Sequence, residues 1–331
     1  MRYVIIGGSA AAIGCIEGIR SVDKTGEIIL ITRETEWNYS RPLISYLLEG
    51  KTTRDKMWCR PDSFFTRNGV TVKAGVLATA LDAGDRTVRL STGERLAYDR
   101  LLAATGSRPF VPPIPGLETV ERTFCFQTLS DASALAEALR PESRVLILGA
   151  GLTGVKCAEG IRGLCAQIAI ADLAPRVLPA VLDDTAAAMV QARMEEKGVR
   201  FYLNDSAAAF RGNTARLQSG TELEFDVLVT AVGVRPNTQL VADAGGAVDR
   251  GILVDGRCAT TLPDVYAAGD CAQGYDAVSG EKRMLPLWPN AMLQGETAGI
   301  NMAGGRADYT QGIALNASGR SEEHTSELQS P

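Results

Sequence analysis

The chain has 331 residues, 45% of them hydrophobic and 22% charged, and carries a formal net charge of −5. That length predicts about two domains with ample core, and the acidic balance argues against a nucleic-acid or anionic-membrane surface. No apolar run reaches the ~18–20 residues of a membrane span, and the N-terminus lacks the basic leader of a signal peptide.

Tyr3–Ile6 predicts a strand and Ala10–Arg20 a helix, joined by Gly7-Gly8-Ser9-Ala10-Ala11-Ala12. This is G-x-S-x-x-A, a softened form of the G-x-G-x-x-G turn that brings backbone and a helix N-terminus against a pyrophosphate. Ser and Ala leave less room there than glycine. Glu27–Ile31 predicts the second strand. Where an acid commonly ends this strand the chain has Thr32, followed by Arg33 and Glu34. Read alone, that pair serves equally as ribose contacts or as a solvated pair. Arg41 and Pro42 then open a short helix whose Leu43, Ile44, Leu47 and Leu48 form an apolar face. Arg41 is a candidate partner for phosphate or a polarised ring edge. A short helix over Phe64–Asn68 precedes strands at Val70–Lys73, Arg86–Leu90, Arg95–Tyr98 and Leu101–Ala104. The last strand closes on Thr105-Gly106-Ser107-Arg108-Pro109, and Pro112, Pro113 and Pro115 stiffen a connector.

Ser130-Asp131 predicts the cap of a helix over Ala132–Leu139. The clearest stretch of the chain follows. Val145–Leu148 is an apolar strand, Gly149, Gly151 and Gly154 make G-x-G-x-x-G, and Val155–Leu164 predicts a helix. A second strand, Ile168–Ala171, ends on Asp172, 18 residues beyond Gly154. Strand, helix and acid at that spacing together specify a dinucleotide site, with Asp172 accepting from a ribose 2′-OH. Ala186–Lys197 predicts a helix, and Val199–Leu203 and Val227–Val232 predict strands, the latter ending in Gly233-Val234-Arg235-Pro236. The pattern of apolar strand followed by Gly-x-Arg-Pro thus occurs twice, each time after a glycine turn. That internal repeat weighs more than either turn alone. Val265–Ala272 predicts a strand running through Gly269-Asp270, and Pro289 stands where a last helix begins.

Four motifs, GGSAAA at 7–12, ATGSRP at 104–109, GAGLTG at 149–154 and YAAGDCA at 266–272, resemble in content and order those of the two-dinucleotide-binding flavoproteins, the pyridine-nucleotide–disulfide oxidoreductase superfamily. The resemblance spans residues 2–318. It implies an α/β, three-layer protein of two Rossmann-like domains. An FAD domain would be split into residues 1–115 and 244–319, with an NAD(P)H domain at 116–243 inserted between them. It also implies that Gly7, Ser9, Ala10 and Ala11 cradle the FAD pyrophosphate, that Thr105 and Gly106 line the flavin nucleotide, and that Asp270 accepts from the ribityl chain. The helix after Pro289 would aim its positive end at the flavin. Arg33, Glu34, Arg41, Pro42, Val76, Ala104, Arg108 and Asn290 join the implied cofactor contacts. Gly149, Gly151, Leu152, Thr153, Gly154, Glu159, Asp172 and Gly233 do so around NAD(H).

Within the superfamily, YSRPLISYLLEGK most resembles NADH-dependent rubredoxin reductases and the flavin module of NADH-dependent nitrite reductases. Branches that use a disulfide carry cysteine near this stretch, whereas this chain has none between Cys15 and Cys59. Where many relatives carry Glu, it has Lys156, close to where nicotinamide meets flavin, which makes Lys156 the one side chain to test for a catalytic part. The implied activity passes hydride from NADH to FAD and electrons onward to a small redox protein of the rubredoxin or ferredoxin type, or to dioxygen. The alternatives are an NADH-sensing interaction flavoprotein resembling apoptosis-inducing factor and the front module of a nitrite-reductase-like chain. The seven cysteines form no CxxC pair and no ligand set with histidine. That usage fits the reducing cytoplasm and leaves no expected metal site. Thr310–Ser318 resembles the first strand of a third, interface-forming domain, so the full-length form is expected to be a homodimer. Arg320–Pro331, which holds the sole histidine, His324, resembles a translated sequencing adapter and is expected to be non-native.

Overall fold

A computed structural model describes residues 1–310 together with Gly312 and Ile313. The adapter-like end, and most of the strand expected at 310–318, lie outside the described residues. The chain opens with β1 (Arg2–Ile6), α1 (Ala10–Val22), β2 (Glu27–Thr32), α2 (Ile44–Leu48), α3 (Asp62–Arg67) and β3 (Val70–Ala74). A small meander, β4 (Ala78–Asp82), β5 (Thr87–Leu90) and β6 (Arg95–Ala97), leads to β7 (Arg100–Ala103) and β8 (Ser107–Pro109). The same order then recurs. β9 (Thr123–Phe124) and α4 (Leu129–Ala138) lead into β10 (Arg144–Leu148), α5 (Leu152–Ile161), β11 (Gln167–Asp172), α6 (Asp184–Glu196) and β12 (Val199–Leu203). A second meander of β13 (Ala207–Arg211), β14 (Thr214–Leu217) and β15 (Glu222–Glu224) precedes β16 (Val227–Thr230) and β17 (Val234–Pro236). The described chain closes with α7 (Gln239–Asp243), β18 (Ile252–Leu253), β19 (Val265–Ala267), β20 (Ala272–Tyr275), β21 (Lys282–Met284) and α8 (Trp288–Met302).

Two five-stranded parallel sheets result, in the orders β19-β7-β1-β2-β3 and β12-β11-β10-β16-β9. Their central strands are apolar throughout because both faces are covered: Val4, Ile5, Ile28 and Leu101 in one, and Leu146, Ile147, Ile170 and Val229 in the other, are almost wholly buried. Each unit is Rossmann-like, with the glycine turn between its first strand and helix. The two Gly-x-Arg-Pro stretches do more than repeat: as β8 and β17 they pair antiparallel, Arg108 opposite Arg235. Asn237 completes this joint, its amide donating to the Thr105 carbonyl at 2.9 Å and its own carbonyl accepting from Thr105 Oγ1 at 2.6 Å.

Several boundaries differ from the reading of sequence. α5 starts at Leu152, directly after the second glycine of its turn, because the turn itself supplies the first helical residues. α4 is capped by Thr128, with Asp131 closing a reciprocal box as its third residue. The meander strands β4, β13, β14 and β15 carry little sequence signal. β4 and β13 are alanine-rich and each has a register shift, between Ala78 and Ala80 and between Ala207 and Ala209, which breaks the period-two pattern.

Candidate functional site

The site begins with two helices that share one end. α1 and α8 run parallel and touch backbone to backbone through glycines on both sides. A Cβ at Gly14 would lie 2.2 Å from the Met292 carbonyl oxygen, and one at Gly18 2.2 Å from that of Glu296. From α8, a Cβ at Gly295 would lie 2.0 Å from the Ala11 oxygen and one at Gly299 2.2 Å from that of Cys15. The spacing of four puts each pair on one helix face. Because the helices are parallel, both positive ends face the same place. The turn before α1 is equally tight: Gly7 has φ +128°, and a Cβ there would lie 2.0 Å from the Ala104 oxygen. No residue with a side chain fits that position.

Both helix ends open onto a cleft of about 460 Å³. Of the residues singled out from sequence, it is lined by Gly7, Ser9, Ala10, Ala11, Arg33, Glu34, Arg41, Pro42, Val76, Ala104, Thr105, Gly106, Arg108, Gly269 and Asp270. Asn290 is not among the lining residues: it is buried, and its amide donates to the Ile313 carbonyl at 2.8 Å. Sequence reading missed Ser107, Gln127, Thr128, Asn237 and Trp288, which also line the wall.

Charge in the cleft is organised around two carboxylates. Glu34 is held by Arg41 Nη2 at 2.5 Å and by the Tyr39 hydroxyl at 2.6 Å. Tyr39 in turn accepts from the Leu129 N–H at 3.0 Å, and Arg41 Nη1 donates to the Gln127 carbonyl at 3.0 Å. This network ties the loop before α2 to the start of α4. Asp270 accepts from Ser107 Oγ at 3.1 Å. Burial pushes its carboxyl above the ordinary range, opposed by that hydroxyl and by Arg41.

The second glycine turn is built alike. Gly149 has φ +109°, and a Cβ there would lie 2.4 Å from the Ala231 oxygen, the counterpart of the Gly7–Ala104 approach. A Cβ at Gly154 would meet the Gly149 oxygen. Gly151 and Gly233 have open space before them, and Leu152 and Thr153 are exposed. Asp172 does more than end a strand: its Oδ2 accepts from the Ala150 N–H at 2.5 Å and its Oδ1 from the Ala174 N–H at 2.7 Å. It therefore fastens the turn, and each oxygen keeps further acceptor capacity. Nearby Arg176 is committed to its own loop, with bonds to the Leu182 carbonyl at 3.1 Å and to Asp184 at 3.0 Å.

Lys156 and Glu159 lie on the face of α5 that packs on α2. Lys156 Nζ is 2.9 Å from Glu159 Oε2 and 4.8 Å from the Tyr46 ring centroid. Neither lines the main cleft; Glu159 borders a separate hollow of about 160 Å³ beside α6. The positive charge at 156 is thus balanced within one helical turn.

All seven cysteines are unpaired, and none lines the cleft. Cys271 is fully buried and donates to the Ala103 and Ala268 carbonyls at 3.2 and 3.3 Å. Burial raises the thiols of Cys15, Cys59 and Cys271, the reverse of what a nucleophilic thiolate requires. Alkylating the accessible cysteines, together with Cys59→Ser, is expected to leave NADH-driven turnover with an artificial acceptor within a few-fold of the unmodified protein. A collapse of turnover with FAD still bound would restore a thiol mechanism. Among the described residues there is no group of three or more His, Cys, Asp or Glu able to hold a metal, and no helix long and apolar enough to cross a membrane.

A family model described as pyridine nucleotide-disulphide oxidoreductase matches residues 1–295. The NADH-dependent phenylglyoxylate dehydrogenase subunit epsilon of Aromatoleum evansii is 34% identical over 321 residues, which cover 95% of this chain and 76% of that protein. The rubredoxin-NAD(+) reductase of Pseudomonas putida is 29% identical, with 92% of this chain and 80% of that one covered. Among solved structures, the covalent putidaredoxin reductase–putidaredoxin complex superposes with a TM-score of 0.85 at 26% identity, covering 92% of this chain and 76% of that chain.

Proposed function

The chain belongs to the pyridine nucleotide-disulphide oxidoreductase family, and from that premise we propose that its NADH-driven electron transfer ends on a small redox protein. It is an NAD(P)H-dependent flavoprotein oxidoreductase that binds FAD and NAD(P)H. The observation that carries the cofactor half of the reading is the shared end of α1 and α8 at the cleft lined by the Gly7 turn.

The cleft suits FAD on its own chemistry. The Gly7 turn packs on the Ala104 carbonyl with no room for a Cβ and brings bare backbone to the cleft wall, and two helix ends there offer positive charge. Gly7, Ser9, Ala10 and Ala11 would hold the pyrophosphate, Glu34 the adenosine ribose, and Asp270 the ribityl chain. The start of α8 would stabilise negative charge on the flavin ring. Bound FAD supplies a centre that accepts hydride from NADH and releases electrons to a partner. The turn at Gly149–Gly154 and Asp172 would hold NADH, and the β8–β17 joint would set one unit against the other.

With no thiol in the cleft wall, electrons would leave the flavin directly. A rubredoxin- or ferredoxin-type acceptor is favoured by the likeness to reductases of such proteins. Dioxygen is the second acceptor, favoured by the likeness to an NADH oxidase of Methanocaldococcus jannaschii that is 30% identical. The test is anaerobic reduction of the FAD-loaded protein by NADH, followed by mixing with rubredoxin, with ferredoxin or with oxygenated buffer. Reoxidation much faster with a redox protein than with oxygen is expected. Faster reoxidation by oxygen than by either protein would replace this reading with an oxidase.

A further inference from the structure

Tyr39 precedes α2 in the first part of the chain, yet it is 3% exposed within the hydrophobic core of the second unit, together with Phe126, Leu129 and Ala132. Its hydroxyl returns to the first unit, where it donates to Glu34 Oε2 at 2.6 Å. Two N–H groups reach the same oxygen, from Leu129 at 3.0 Å and from Arg41 Nη1 at 3.2 Å. Both can only donate, and a phenol carries one proton. That proton therefore has one place to go, onto Glu34. The Leu129 amide is among the first N–H groups of α4, which have no partner within the helix. The Tyr39 oxygen thus completes the helix end that Thr128 and Asp131 begin to cap.

Glu34 lines the cleft, whereas Tyr39 and Leu129 do not. Its carboxylate is held from two sides, Oε1 by Arg41 and Oε2 by Tyr39. With each oxygen on a different fixed donor the group cannot swing, and each oxygen keeps acceptor capacity for a ligand hydroxyl. Burial raises the Tyr39 phenol above its ordinary range, so it remains a donor through neutral pH.

We propose that Tyr39 is a positioning residue that aims Glu34 at the adenosine ribose of FAD and takes its own aim from α4 of the second unit. This rests on the reading that FAD fills the cleft with its ribose on Glu34. The hydroxyl of Tyr39 contributes by orientation and touches no cofactor atom. Recognition of the ribose then depends on how the second unit is seated, beyond what the pairing of β8 and β17 provides.

The experiment titrates two ligands into the stripped full chain, followed by quenching of flavin fluorescence: FAD, and dideoxy FAD lacking the adenosine 2′- and 3′-hydroxyls. FAD binding by the unmodified protein tests the cofactor reading separately; its absence would end that reading. The unmodified protein is expected to prefer FAD over dideoxy FAD about tenfold. Equal binding would take Glu34 off the ribose, and the proposal with it. Tyr39→Phe keeps the ring in the core and removes only the hydroxyl. It is expected to weaken FAD about five- to tenfold and dideoxy FAD little, so that the preference falls below about twofold. A merely structural role would weaken both ligands alike, so a preference kept at its unmodified value would overturn the proposal. Should Tyr39→Phe fail to fold, hydrogen exchange at the Leu129 amide decides with the unmodified protein. FAD is expected to slow that exchange about tenfold more than dideoxy FAD does, because a ribose-bound Glu34 fixes the Tyr39 hydroxyl that the amide bonds. Equal protection by the two ligands would separate Tyr39 from the ribose and overturn the proposal.

Discussion

Gly295→Ala is expected to lower the melting temperature by about 6 °C and to weaken FAD binding at least about tenfold, although residue 295 does not line the cleft. The new Cβ would lie 2.0 Å from the Ala11 carbonyl oxygen and 2.7 Å from its carbon. These are backbone atoms of a helix, which no rotamer change can move aside. α1 and α8 would have to part. Overpacking a close contact costs ~1–3 kcal/mol and sometimes more, and at ~2–4 °C per kcal/mol the upper end gives the stated shift. FAD suffers because Ala11 belongs to the turn that would cradle its pyrophosphate, so the displacement falls at the site itself. Gly163→Ala is the control: nothing lies within 4 Å of a Cβ there, and its effect should stay within about 1 kcal/mol. A Gly295→Ala protein melting with the unmodified one would show that the seam tolerates a methyl group.

Asp172→Ala is expected to raise the KM for NADH by roughly ten- to a hundredfold, with FAD content unchanged. A hydrogen bond to a charged group contributes ~1.5–3 kcal/mol, which spans that range at 1.4 kcal/mol per factor of ten. Two losses combine. The carboxylate would no longer receive a ribose hydroxyl, and the Ala150 and Ala174 N–H groups that it now holds at 2.5 and 2.7 Å would be released. Preference should also shift. With Asp172 present, NADH is expected to be used in preference to NADPH, because a 2′-phosphate would meet a like charge. Arg176 does not relieve this, since Asp184 and the Leu182 carbonyl already engage it. In the variant the ratio of kcat/KM for NADPH over NADH should rise. Equal flavin reduction rates with both nucleotides in the unmodified protein would remove Asp172 from the ribose site.

The parts of the site legible in sequence are those whose chemistry is local. A turn that places backbone within 2.0–2.4 Å of where a Cβ would stand admits only glycine, so Gly7 and Gly149 announce themselves. Asp172 is legible because a strand, a helix and the next strand have nearly constant lengths. The spacing suggested one duty, to a ribose; the second, to the Ala150 and Ala174 amides, depends on where the carboxylate turns. Lys156 was legible as an inverted charge but not as a balanced one. Its partner Glu159 stood three residues away, yet whether the two meet depends on α2 covering that face.

By itself, then, the sequence determined that this is a doubled Rossmann-like protein with a glycine turn after the first strand of each unit. Positive φ and close backbone approach act on single residues, and apolar runs act on single strands. Tertiary structure alone decided how those pieces share a cleft. Gly14 and Gly18 matter through the Met292 and Glu296 carbonyls, 278 positions away, and the two Gly-x-Arg-Pro copies matter because they pair with each other. Gln127 enters the cleft only because α4 starts beside Arg41 and Ser107. Asn290 instead bonds the Ile313 backbone, 23 residues on. A local pattern states what a segment can form; which distant segment satisfies its remaining hydrogen bonds and fills its remaining space is settled when the chain packs.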